Sequence, residues 1–165
     1  MWRNYIVQGY KIKQSSIFDL DELYKTLFRW FENNGYSFYE ENYQDTDTPG
    51  GKQLQIYWRA EKKVDTYVMF AIEIAYLVTG LSKVEVERGG TKIKTNSGSI
   101  ELRINLFMVK DYDDKWTKSG VGKNMRMLYD KFVARERLEK QEDQILGDYA
   151  ALLDEIRSFL ALHKF

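Results

Sequence analysis

The sequence predicts an α+β domain: an antiparallel meander of about six strands, with a helix after the first strand and a long C-terminal helical region. Three observations carry this. Segments with period-two alternation follow one another from residue 36 to residue 110 without a helical pattern between them. The stretches that join them, such as Glu61-Lys62-Lys63 and Asn96-Ser97-Gly98, are far too short for a parallel crossover, which needs about a dozen residues. Apolar residues switch to three- and four-residue spacing in only two places, after Asp19 and after Gly122.

Residues 5–13 place Ile6, Gln8, Tyr10 and Ile12 on one face and Tyr5, Val7, Gly9 and Lys11 on the other, as a first strand does. Ser15-Ser16 reads as the turn that follows. Asp19 then precedes Leu20, Leu23, Leu27, Phe28, Trp30 and Phe31, with Glu22 three residues on. A capping residue ahead of a helical stripe predicts a helix to about residue 33. Asn34-Gly35 ends it, because both residues tolerate the left-handed backbone found past helix ends. Strands are expected at 36–44, 53–61, 66–79, 83–95 and 99–110, with Gly89-Gly90 a bulge or turn within the fourth of these. Residues 45–52 contain Pro49-Gly50-Gly51 and read as the loosest loop, a lid or a simple turn.

From 123 to 162 the pattern is helical. Met125, Leu128, Tyr129, Phe132 and Val133 form one apolar stripe, and Ile145, Leu146, Tyr149, Leu152, Leu153, Ile156, Phe159 and Leu160 form a second, with Leu138 alone between them. Arg135 and Glu139, like Glu136 and Lys140, stand four apart, as on a solvated helix. An unbroken helix over this span would measure about 60 Å, against about 33 Å for a ten-residue strand. The helix is therefore expected to break within 135–148, or to carry its distal half away from the sheet to meet another chain. Residues 1–165 read as one domain, 1–122 forming the sheet and first helix and 123–162 the C-terminal helical region.

Composition narrows the chemistry. The 25 basic and 25 acidic residues cancel, so attraction to nucleic acid, anionic membrane or acidic substrates would need a local patch. There are no cysteines and one histidine, His163, which excludes disulfides, thiolate metal sites and histidine clusters; no metal and no cofactor is expected. Met1-Trp2-Arg3-Asn4-Tyr5 does not resemble a secretion signal, and the apolar run 67–81 is interrupted by Glu73 and too short to cross a bilayer. A cytoplasmic chain without a membrane segment is the expectation.

Leu54, Ile56, Trp58 and Ala60, then Phe70, Ile72, Ile74 and Tyr76, then Ile100, Leu102, Ile104 and Leu106 make a nearly charge-free, helix-facing core. The opposite face carries Tyr57, Met69, Ala71, Ala75, Leu77, Phe107 and Val109 around Arg59, Glu73, Arg103 and Asn105. That is too apolar for a bare surface and predicts a cover. Glu73, among small residues, reads as a structural carboxylate paired with Arg59 or Arg103, with a catalytic or ligand-orienting group as the alternative. Ser119-Gly120-Val121-Gly122-Lys123-Asn124 reads as a hinge, with an anion site as the alternative because a lysine and helix-start amides attract negative charge. It is not a phosphate loop: Thr117 and Asn124 stand where that motif needs glycine and a hydroxyl. Lys62, Lys63, Lys92, Lys94, Lys110 and residues 115–118 supply positive charge for a nucleic-acid strand, but acids intersperse them and a mixed solvated surface is expected instead. No catalytic motif is present, and His163 lies too close to the chain end to be held as a base.

The order strand, helix, strand meander, long C-terminal helix over residues 5–162 is similar to the helix-grip fold of the START and plant pollen-allergen superfamily, without a sequence motif of that superfamily. The resemblance implies a cavity between sheet and last helix that binds a hydrophobic small molecule. Trp58, Phe70, Ile72, Tyr76, Ile104, Leu128 and Phe132 are the residues of this chain that would line it. The leading expectation is instead a non-enzymatic interaction protein that forms a homo-oligomer or binds another protein. Its surface would be the outer sheet face, with Tyr57, Met69, Leu77 and Phe107, and the distal helix, with Ile145, Tyr149, Leu152, Ile156 and Phe159.

Overall fold

Alternation in this chain runs through most of the positions that look like turns, and five long strands form in place of about six shorter ones. The computed structural model describes residues 1–118 and 120–162, so Ser119 and His163 lie outside the described residues. Strand β1 (Trp2–Phe18) leads into α1 (Leu20–Asn33). Then come β2 (Ser37–Thr48), β3 (Gly51–Lys63), β4 (Val68–Arg88) and β5 (Thr91–Lys110). Helix α2 (Gly122–Leu128), a π turn (Tyr129–Val133) and α3 (Arg135–Leu162) complete the chain. The sheet is wholly antiparallel, in the order β1-β5-β4-β3-β2. Strands β2 to β5 form the meander, while β1 pairs with β5, so α1 carries the chain from one edge of the sheet to the other.

The differences in strand count have local causes. The segment expected as a separate strand at 83–95 is the far end of β4, the Gly89-Gly90 turn and the start of β5. Asn96-Ser97-Gly98 is not a turn, because a register shift between Thr79 and Ser82 absorbs the irregularity opposite it, with Gly80 at φ +63°. Ser15-Ser16 is likewise strand, paired with Ser99 and Gly98. Two further shifts in β1 move Val7 opposite Leu106, onto the helix-facing side, rather than leaving it beside Tyr5. The expected loose loop shrinks to a hairpin turn at Pro49-Gly50, braced by Lys52 against Asp45 at 3.1 Å.

Helix α1 begins where its cap predicts: Asp19 Oδ1 accepts from the Glu22 amide at 3.0 Å. It buries Leu23, Leu27 and Phe31 against the sheet. Around Trp58, the rings of Tyr24, Phe38 and Tyr76 stand 4.6, 4.5 and 4.9 Å away, centre to centre. Helix α3 is unbroken through Gly147 and buries Leu138, Ile145, Tyr149, Leu152, Ile156 and Phe159 in the same core. The 123–162 region does break, at Ala134 between the π turn and α3 and just ahead of the 135–148 window, and α3 itself neither breaks nor projects. The strands are longer than ten residues: β1, β4 and β5 have 17, 21 and 20. At about 3.3 Å per residue each offers over 50 Å to a 28-residue helix of about 42 Å. No helix among the described residues is long and apolar enough to cross a membrane.

Candidate functional site

The approach to α2 is set by Asp111. Its backbone is left-handed at φ 51°, and its amide donates to Tyr67 O at 2.8 Å. The buried carboxylate accepts from the amides of Trp116 and Thr117 and, at 2.7 Å, from Thr117 Oγ1. Burial by itself would raise the pKa of this group, but these hydrogen bonds and the N-terminal ammonium outweigh it and hold the carboxyl below its ordinary value. Asp114 meets that ammonium directly. Trp116 is thereby placed with its ring 5.3 Å from that of Tyr129.

The π turn decides which side of the following helix is buried. The Ala134 amide reaches back five residues to Tyr129 O, 2.9 Å away, and the extra residue rotates the apolar stripe off the core. Polar groups hold this register. Asp130 accepts from Tyr67 Oη at 2.6 Å and from Lys110 Nζ at 3.1 Å, Arg137 donates to Tyr129 Oη, and Gln141 donates to Asp65. Gly122, Arg126, Ala134 and Leu138 face inward. Val121, Met125, Leu128 and Phe132, at spacings of four, three and four, face solvent together with Val133. Leu128 is 57% exposed and Phe132 71%.

Beneath α2 lies a pocket of about 460 Å³. Trp2 and Lys110 contribute from the end of the sheet, Lys123 and Arg126 from α2, Lys131 from the π turn and Arg135 from the start of α3. Asp130, Glu139 and Glu142 supply its acids, three against the five cations. Two of those cations are already paired, Lys110 with Asp130 and Arg135 with Glu139. Lys123 and Lys131 have no ion pair among the described residues. Arg126 is only 6% exposed, its guanidinium sits 4.8 Å from the centre of the Trp2 ring, and its Nε has no hydrogen-bond partner. A buried cation with an unfilled donor beside further cations is suited to hold an anion.

The residues expected to line a cavity do not come together in one. Trp58, Phe70, Ile72, Tyr76 and Ile104 are buried in the core packed against α1 and α3, whereas Leu128 and Phe132 point into solvent because the π turn rotates them outward. Tyr76 Oη is buried without a partner. The expected interface is corrected in the same way. Ile145, Tyr149, Leu152, Ile156 and Phe159 are interior residues of this chain, taken up by the long sheet. Met69 and Phe107 are also buried, in a small cluster on the outer face beneath Tyr5, Arg3 and Tyr112. Leu77 is exposed and Tyr57 half-buried, and both border a shallow groove of about 360 Å³ with Arg103.

Glu73 is 7% exposed and stands opposite Arg59 and Asn105, yet it bonds neither arginine. It accepts from Asn105 Nδ2 at 3.3 Å, and together with burial it raises the pKa of the nearby Tyr57 phenol. Arg59 turns to Glu61 at 2.6 Å and Arg103 to Glu101 at 3.2 Å, so a neutral donor, Asn105, meets the buried carboxylate.

Lys123 and Lys110 were each legible as anion-attracting residues, but their meeting with Arg126 and Trp2 was not, since over 100 residues separate the first strand from α2. One signal was available: residues 115–135 hold six basic residues (Lys115, Lys118, Lys123, Arg126, Lys131 and Arg135) and one acid, Asp130. No family model, curated protein or solved structure matches this chain.

Proposed function

We propose that this chain is a non-enzymatic binding protein whose site is the basic pocket beneath α2, and that its ligand presents a phosphate-bearing anionic group. Arg126 carries the proposal. A guanidinium is strongly solvated in water, and burying one with a free donor is costly unless an acceptor arrives. A phosphate oxygen supplies that acceptor, while Lys123 and Lys131 add charge from the pocket rim. A hydrophobic ligand between sheet and α3, as the helix-grip resemblance implies, would have to displace side chains such as Trp58 and Phe70 from their packing. Association through the distal helix would require α3 to leave its own core.

The test is a titration of the ¹⁵N-labelled protein with inorganic phosphate at constant ionic strength, with chloride as the control anion. Saturable shifts are expected at the Trp2 indole and the amides of residues 123–131. The exposed variant Lys123→Gln should weaken binding several-fold, and Arg126→Gln should weaken it at least about tenfold, the usual scale for a charge-assisted hydrogen bond. Shifts that do not saturate, or that chloride reproduces, would refute the site.

A further inference from the structure

We infer that the phosphate belongs to a lipid headgroup, and that the segment from Val121 to Val133 is an interfacial device which seats the protein on an anionic membrane surface. This rests on the pocket beneath α2 being an anion site. Three observations lead from that pocket to a membrane.

The first is the apolar stripe. Val121, Met125, Leu128 and Phe132 lie along one side of a helical segment that also forms the pocket wall, and they are exposed. Twelve residues from Gly122 to Val133 span about 18 Å, enough to lie flat in the headgroup layer. A soluble ligand that filled the pocket would leave this stripe in water.

The second is charge. The whole chain is neutral, but residues 115–135 carry a net +5, from six basic residues less one acidic. Of the acids just before this segment, Asp111 is turned inward and Asp114 meets the N-terminal ammonium, while Asp113 pairs with Lys115. Lys118, Lys123, Lys131 and Arg135 are exposed along the same segment as the stripe. Lysine and arginine stems tolerate the headgroup layer because they bury methylenes while holding the charge in water. An anionic lipid surface complements this mixture of cations and apolar side chains along its whole length.

The third is how the stripe is held out. The π turn, fixed by Tyr67 and Lys110 on Asp130, rotates Phe132 and Val133 away from a core that the rest of the chain already fills. The outward-facing apolar residues are thus built into the packing and are not a frayed end. The carboxylates of an acidic protein segment also pair with an arginine, but such a segment offers no apolar layer to the exposed stripe, which a lipid surface does.

The experiment is co-sedimentation of the full chain with vesicles of phosphatidylcholine alone and of phosphatidylcholine mixed with phosphatidylglycerol. Binding is expected only to the mixed vesicles and should fall steeply as salt is raised, because screening shortens the reach of the headgroup field. Leu128→Ser with Phe132→Ser, both at exposed positions, should reduce partitioning at least about tenfold while leaving the thermal unfolding midpoint unchanged. Lys123→Gln with Lys131→Gln should reduce it about tenfold as well.

If phosphate still titrates into the pocket but neither vesicle binds, the lipid inference falls and the pocket stands. If neither phosphate nor vesicles bind, both fall. Equal binding to the two vesicle types, or full binding by the serine pair, would also overturn the membrane role. So would binding to an acidic polypeptide such as polyglutamate in the absence of vesicle binding.

Discussion

Leu152→Ala distinguishes an interior α3 from an α3 that meets a second chain. Leu152 is fully buried, and its neighbours on the same stripe, Tyr149, Ile156 and Phe159, lie in the core shared by the sheet and α1. The substitution removes three carbons, about 2.4 kcal/mol of transfer free energy at about 0.8 kcal/mol each. The unrelaxed cavity raises the total to roughly 3–5 kcal/mol. Against a typical total of about 5–15 kcal/mol, that is a large fraction. Urea unfolding followed by circular dichroism, at two protein concentrations about tenfold apart, measures it. The midpoint should fall by the same amount at both concentrations, because the core around Leu152 is built from a single chain. A midpoint that climbs with concentration would place Leu152 between two chains, and a destabilisation under about 1 kcal/mol would show it is not packed.

Truncation after Glu142 removes Ile145, Tyr149, Leu152, Leu153, Ile156, Phe159 and Leu160 together, and should abolish cooperative unfolding in the same assay. Tyr67→Phe deletes the 2.6 Å bond to Asp130 and should cost about 1–2 kcal/mol, with faster amide exchange by mass spectrometry confined to residues 122–134. Asp111 titrates below its ordinary value, so its stabilisation is complete above the normal carboxylate range and is lost as pH falls through the lowered native pKa. The stability gap between the protein and Asp111→Asn should therefore be constant near neutrality and close below about pH 4; a gap that widens in acid would contradict it. Glu73→Gln should leave stability within about 1 kcal/mol, because the carboxylate is held by a neutral donor, Asn105, and by no cation. The Tyr57 phenol, raised by burial and then by Glu73, should titrate closer to its ordinary value in that variant when its ring carbons are followed by NMR. Gly51→Ala should cost at least about 2 kcal/mol in thermal unfolding, since φ is +118° and a Cβ would stand 2.8 Å from the backbone of Gly80 and Leu81.

The sequence by itself determined the α+β class, the antiparallel pairing, α1 with its Asp19 cap and the apolar identity of both C-terminal stripes. Each of these depends on spacing within a few residues, which periodicity reports directly. Strand length and register were settled by tertiary structure, because the shift at Gly80 and those in β1 absorb apparent turns only when a neighbouring strand is present to pair. The fate of the two stripes was decided there as well. Periodicity marks a stripe as apolar without saying whether a surface remains to bury it, and the sheet's helix-facing side is filled by α1 and α3. Val121, Met125, Leu128, Phe132 and Val133 are left outside that core. The bonds that hold them there join Tyr67 and Lys110 to Asp130, across 63 and 20 residues of chain. The pocket depends on a longer meeting still, between Trp2 at one end of the sequence and Arg126 near the other. Only the folded sheet brings those two side chains together, by laying β1 beside β5.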